Sequence, residues 1–307
     1  MTALKDKIQN ALDEGRILIL GGQALLGVEL RAVFEPRFQS LPKLSRLLIL
    51  LALTLLVVTL GLLMAPGAYH QIVEKGEDTP SLHRFTTGMI GGGLLPLGIG
   101  LGLVLTVIAQ PILGVAGGIL LGILVTSTSL CFWYVFEFMK RKRQKRKHAG
   151  VKSGPPPEPT KLDEKIRHVL TETRVVLPGA QALLGFQFVT MLTTSFQELP
   201  VSSQMVHLAS LLSVCFSTIL LMTPAAYHRI VLEGEETEEL HRLAGRFLLA
   251  AMLPLGLGMC GDLFVVTRQI AESTGFALAL SAAILLLILG LWFGYTEYEK
   301  RLRENRS

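Results

Sequence analysis

The sequence predicts an all-α integral membrane protein with eight transmembrane helices, built as two four-helix repeats in parallel orientation with cytoplasmic N- and C-termini. Three observations carry that prediction. Shifted by 158 residues, the chain overlays itself with 35 identities in 87 ungapped positions, between residues 14–100 and 172–258. Half of the residues are apolar and the mean hydropathy is +0.50. The basic residues fall almost entirely on one side of the apolar runs.

The overlay is a tandem duplication because its best blocks are polar or rich in Gly and Pro. QALLG at 23–27 returns at 181–185, and FQ-x-LP at 38–42 returns at 196–200. P-x-AYH-x-IV at 66–73 returns at 224–231, LHR at 82–84 at 240–242, and LPLG-x-G at 95–100 at 253–258. The units are residues 1–139, a cytoplasmic linker at 140–160, and residues 161–307.

Crossing ~30 Å of hydrocarbon takes ~20 apolar residues in a helix. Four runs meet this in each copy: Ile17–Val33, Leu47–Ala65, Phe85–Ala109 and Ile112–Phe136, then Val175–Thr193, Val206–Thr223, Leu243–Val266 and Phe276–Tyr295. The first run of each copy is the weakest, interrupted by Gln23, Glu29 and Arg31 or by Pro178 and Gln181. With four spans per copy, 24 of the 29 Lys and Arg share a side with the termini, which the positive-inside bias makes cytoplasmic. An even number of spans also relates the copies by an axis along the membrane normal.

The polar segment before the first run carries Leu4, Ile8, Ala11 and Leu12 at helical spacing. It reads as an amphipathic helix on the inner leaflet, repeated by Leu162, Ile166 and Val169. The run KRKRQKRK at 140–147 reads as an anchor for anionic headgroups beneath a helix end, not as a nucleic-acid patch. GVKSGPPPEPT after it is a Pro-rich tether. Cys131, Cys215 and Cys260 have neither repeat partners nor metal-ligand spacing and read as packing residues.

Several positions are candidates for chemistry. Pro96 and Pro254 interrupt the third helix of each copy, and matched Pro/Gly breaks point to a binding site in transporter repeats, although structural helices carry them too. Tyr69 and His70, matched by Tyr227 and His228, close the second helix. His83 with Arg84, and His241 with Arg242, follow an acidic loop, so these histidines read either as proton gates or as loop-pairing groups. Gln23 and Gln181 place an amide about two turns inside each first helix, for an interhelical hydrogen bond or a polar path. Asp262 is an acidic residue inside the last copy's third helix, a functional candidate unless it reaches the interface near Arg268. Glu14, Arg16, Glu172 and Arg174 enter the first helices, where each arginine is expected to snorkel to phosphate or meet the acidic loop. Gly114, Gly118 and Gly122 make a small-residue ridge on the fourth helix, replaced after one gap by Ala279, Ala283 and Leu287.

The sequence lacks a phosphate-cradling loop, a nucleophile elbow and an HExxH pair, so no enzyme, cofactor or metal is expected. The run E-x-R-V-x-x-x-G-x-Q-x-LLGF at 172–186, with FQ-x-L at 196–199 and P-x-AYHR at 224–229, resembles a family of short four-helix bacterial membrane proteins of unknown function. Some of its members are labelled sodium:proton antiporter. The resemblance implies a bacterial plasma-membrane location and a four-helix unit. Two functions stay open: a small-ion or proton-coupled transporter, or a non-transporting scaffold or accessory subunit that docks a partner or a second copy through its cytoplasmic loops.

Overall fold

In the computed structural model, residues 4–135, 162–230 and 237–305 are described. The order is α1 (Leu4–Val33), α2 (Pro36–Gln39), α3 (Lys43–Ile72) and α4 (Pro80–Leu130), then α5 (Leu162–Met191), α6 (Thr194–Gln197), α7 (Val201–Ile230), α8 (Glu238–Ala271), α9 (Thr274–Leu289) and α10 (Thr296–Glu304). Cys131–Val135 and Gly290–Tyr295 continue α4 and α9 as π-helical turns. The described residues contain no strand. The 140–160 linker and the acidic residues Glu233, Glu235 and Glu236 lie outside the described residues.

Among the described residues, five helices are long and apolar enough to cross a membrane: α3, α4, α7, α8 and the α9–α10 rod. One of them, α4, is two limbs. Gly114, with φ 70° and ψ 173°, leaves the helical region, and the chain folds back so that Gly118 and Gly122 pack on Thr106. That backbone conformation is essentially reserved for glycine. In the second copy the matching residue is Glu272, left-handed at φ 54°, followed by the N-cap Ser273. The turn therefore falls at the same place with no gap. Gly114 belongs to the turn, and the packing ridge begins at Gly118.

The motifs shared by the copies acquire packing roles. Thr79 and Thr237 cap α4 and α8 by accepting from the backbone N–H of Leu82 and Leu240, both fully buried. FQ-x-LP forms the short helices α2 and α6, which bury Phe38 and Phe196. In LPLG-x-G, a Cβ on Gly98 or Gly256 would stand 3.2 or 3.3 Å from the ring of Trp133 or Trp292. Gly100 and Gly258 instead face the second helix, at the backbone oxygens of Ala52 and Ser210. One glycine admits the fourth helix and the next admits the second, twice over.

The first helices, α1 and α5, are not among these five; among the described residues the apolar part of α5 is Val176–Met191. They pack on each other between the repeats. A Cβ on Gly27 would collide with the Phe186 ring, and one on Gly179 with the Gln23 amide. This contact explains their weaker hydropathy: Gln23 and Gln187, both fully buried, face protein and not the outside.

The N-terminal segment departs from the expected separate surface helix. It is the first part of α1, and Ile8 and Leu12 are buried with Tyr69, Val73 and Leu82. The apolar stripe covers the 73–79 loop of its own repeat. Arg16 is enclosed, at 7 % exposed. The side chains of Glu14, Glu172 and Arg174 lie outside the described residues.

Candidate functional site

The densest buried polar constellation sits in the second repeat, and three helices build it. Asp262 of α8 is 3 % exposed, and Gln187 of α5 and His207 of α7 are fully buried. The Gln187 Nε2 donates to Asp262 Oδ2 at 2.6 Å. His207 Nε2 stands 3.1 Å from the Gln187 backbone oxygen, and its Nδ1 stands 2.9 Å from Asp262 Oδ1. Phe196 from the α6 turn leans on the imidazole with ring centroids 5.0 Å apart. The site therefore lies toward the end of the bundle capped by α2 and α6, away from the termini.

The tautomer follows from the partners. A carbonyl oxygen only accepts, so Nε2 carries a hydrogen. In neutral histidine Nδ1 is then a lone pair, and facing it with a carboxylate at 2.9 Å is repulsive. The contact is favourable only when one further proton lies in the pair, as His⁺ with Asp⁻ or as neutral histidine with Asp-COOH. Both arrangements carry zero net charge, the form least penalised by burial. The 2.9 Å approach is therefore favourable with one proton held between the two residues, with Nδ1 and Oδ1 close but not aligned as a hydrogen bond.

Subtracting 158 gives the counterparts Glu29, Ile49 and Val104. The first repeat keeps a carboxylate in this region but moves it from the third helix to the first. Glu29 lies beside Pro96, Gly100 and Ala52 in a small void, and its Oε2 has no hydrogen-bond partner among the described residues.

The sequence-derived candidates separate into groups. Asp262 joins the constellation and is enclosed by protein. Gln23 is buried against Gly179 with neither amide atom hydrogen-bonded among the described residues, whereas Gln181 is on an exposed face, so the two line no common path. Pro96 lies beside Glu29; Pro254 is half-buried, and α8 runs unbroken through it.

Tyr69, fully enclosed, shares a hydrogen bond with Ser81 at 2.9 Å, and both oxygens accept from Arg303 of α10, at 2.9 and 2.7 Å. The same guanidinium pairs with the buried Glu74 at 3.0 Å. The last helix of the second repeat thereby clamps the loop of the first. His70 is buried, His83 half-buried and Arg84 exposed. His241 and Arg242 line an open groove with Gln71 and Lys75 from the first repeat, and Arg242 pairs with Glu238 at 3.7 Å. Tyr227 and His228 occupy the end of α7, and their side chains lie outside the described residues.

No group of three His, Cys, Asp or Glu suited to a metal occurs among the described residues. Sequence reading had missed His207 and Gln187. The available signal was a histidine inside an apolar run at a position where the other copy has isoleucine.

These features define a class, a duplicated all-helical protein with membrane-length helices and a buried ionisable cluster. The chain belongs to the family of unknown function DUF6328, which matches it twice, over residues 3–137 and 157–296. No curated protein and no solved structure matches it.

Proposed function

We propose that the protein is a proton-coupled carrier of a small ion or solute in a bacterial plasma membrane, with Asp262 and His207 as its proton-binding pair. The observation that carries this reading is the 2.9 Å contact between two fully enclosed ionisable groups that requires one shared proton. Ionisable residues inside spans are costly and commonly mark proton relays. In this reading α1 and α5 also cross the bilayer, giving eight spans with cytoplasmic termini, and the 140–147 run anchors to anionic headgroups. Loading the proton holds the α7–α8 contact closed. Releasing it leaves a carboxylate facing a lone pair and loosens that contact, which couples protonation to helix movement.

The experiment is flux into proteoliposomes with an internal pH dye under Na⁺, K⁺ and H⁺ gradients imposed in turn. A dye response that depends on one cation and disappears in both Asp262→Asn and His207→Ala supports the carrier. A flat response from folded protein in every gradient removes it, and directs attention to partners of the cytoplasmic loops.

A further inference from the structure

The open groove between the repeats, near the termini end, carries charge that the proton pair does not use. It measures ≈ 310 Å³, and its wall includes Lys75 from the loop after α3 and Arg242, Arg246 and Leu249 of α8. Those three cations share the wall with one carboxylate, Glu238, which stands 3.7 Å from Arg242. Lys75 and Arg246 are exposed, and neither side chain makes an ion pair among the described residues. The repeats meet closely here, since a Cβ on Gly245 would stand 2.6 Å from Gln71 Oε1. Two uncompensated cations therefore line one opening, one from each repeat.

The residues that follow along α8 set the chemistry. At ~100° per residue, Arg242, Arg246, Leu249, Leu253 and Leu257 fall on one face of the helix. Leu253 and Leu257 are 45 % and 43 % exposed. The face thus runs from guanidinium groups near the capped end of α8 to bare leucines further along.

We infer that the groove holds the phosphate headgroup of one anionic phospholipid, with its acyl chains laid along Leu253 and Leu257. Arginine offers phosphate two parallel donors, and lysine adds a point charge. Basic pockets between membrane helices on the cytoplasmic side suit such headgroups. A free phosphate would leave the leucines bare, and an uncharged lipid would leave the two cations unmatched. The volume is at the lower end of small-molecule sites, which admits a headgroup and leaves the chains outside on the helix face. The basic run at 140–147 attracts any anionic surface diffusely, whereas this groove is filled by a single lipid. Lys75 belongs to the first repeat and both arginines to the second, so the bound phosphate bridges the repeats. The site occurs once, because Lys75 is matched by Glu233 and Arg246 by Gly88. The inference shares with the proposed function the placement of α8 across a bilayer, and it does not depend on proton transfer.

The test is equilibrium binding of labelled phosphatidylglycerol to the purified full-length protein in neutral detergent, with no ion gradient. Phosphatidylcholine and chain-free glycerol phosphate serve as competitors. The expected result is saturable binding of one lipid per chain, for which phosphatidylcholine competes at least about tenfold less well than unlabelled phosphatidylglycerol. Arg246→Gln weakens binding at least about tenfold, the scale of a lost charge-assisted hydrogen bond. Lys75→Gln weakens it about fivefold. Arg301→Gln makes the same charge change on an exposed side chain of α10 and leaves binding unchanged. Glycerol phosphate competes only at far higher concentration.

Equal binding in the wild type and in the Lys75→Gln, Arg246→Gln double variant overturns the proposal, as does equal competition by phosphatidylcholine. Displacement by glycerol phosphate at the lipid's own concentration also overturns it and assigns the groove to a soluble phosphate. If the double variant fails to fold, Arg246→Lys decides the matter: it keeps the charge but loses the paired donors, so binding falls about threefold. Undiminished binding in Arg246→Lys contradicts the proposal. Asp262→Asn binds the lipid as the wild type does, so loss of flux and loss of lipid are read separately. A protein that carries nothing yet binds the lipid removes the carrier and keeps this site.

Discussion

Gln187, His207 and Asp262 in the second repeat occupy the positions of Glu29, Ile49 and Val104 in the first. The backbone around them is the same: a capped third helix, a glycine seat for tryptophan, and a positive-φ turn 158 residues apart in the two copies. One repeat encloses an ionisable pair in 2.9 Å contact, its carboxylate bonded to the Gln187 amide, while the other holds a carboxylate with an oxygen that has no hydrogen-bond partner among the described residues. The comparison teaches that helix packing and buried chemistry are separable. Glycines and caps hold the shape, and the polar positions are free to diverge once a second copy exists.

The largest expected effect comes from removing one member of the pair. Asp262→Leu leaves a buried imidazole without its counter-group and costs about 3–5 kcal/mol, read as a loss of thermal stability in detergent. Exchanging both, Asp262→Leu with His207→Leu, recovers much of that loss, since an apolar pair of similar volume avoids the desolvation penalty. If the double variant is no more stable than the single one, the two residues are not acting as a pair.

Next in size is the contact between the repeats. Gly27→Ala drives a methyl into the Phe186 ring, and its counterpart Gly185→Ala meets nothing within 4 Å. The first costs about 1–3 kcal/mol, and the second leaves the melting temperature nearly unchanged. Equal effects would mean that α1 and α5 do not meet as described.

The turn supplies a smaller contrast of opposite sign. Gly114→Ala imposes a side chain on a glycine-only conformation and costs about 1–3 kcal/mol. Glu272→Gly relieves a left-handed residue and gains a few tenths to about 1 kcal/mol. Thermal melts of the two variants should move in opposite directions. Smallest is Glu29→Gln, which neutralises a carboxylate with an unpartnered oxygen and is expected to fall within about 1 kcal/mol of the wild type. A large loss there would indicate that Glu29 also holds a partner.

Much of the architecture was legible because it is written in repeated, local chemistry. The 158-residue shift, the apolar runs and the Leu-His-Arg block near the start of the third helix all survive without knowledge of tertiary contacts. The site was only partly legible. Asp262 stood out as a carboxylate in an apolar run, but Gln187 and His207 come from two other helices, and neither is repeated in the first copy. What the copies share includes packing residues: in both, LPLG-x-G sets a glycine against a tryptophan ring, Gly98 on Trp133 and Gly256 on Trp292. Gln23 and Gln181 show that matched sequence positions need not share surroundings, since they face Gly179 in one copy and the exterior in the other. Residues where the copies differ in polarity were the better guide to chemistry.

The central claim is that Asp262 and His207 hold one proton between them. It is tested most directly by magnetic resonance on histidine-labelled ¹⁵N protein in bilayers, comparing the wild type with Asp262→Asn. The account predicts a His207 signal with Nε2 protonated and Nδ1 in a hydrogen bond that carries a proton, reverting in Asp262→Asn to a simple neutral imidazole. A wild-type Nδ1 that is already bare, and unchanged by the substitution, would contradict it.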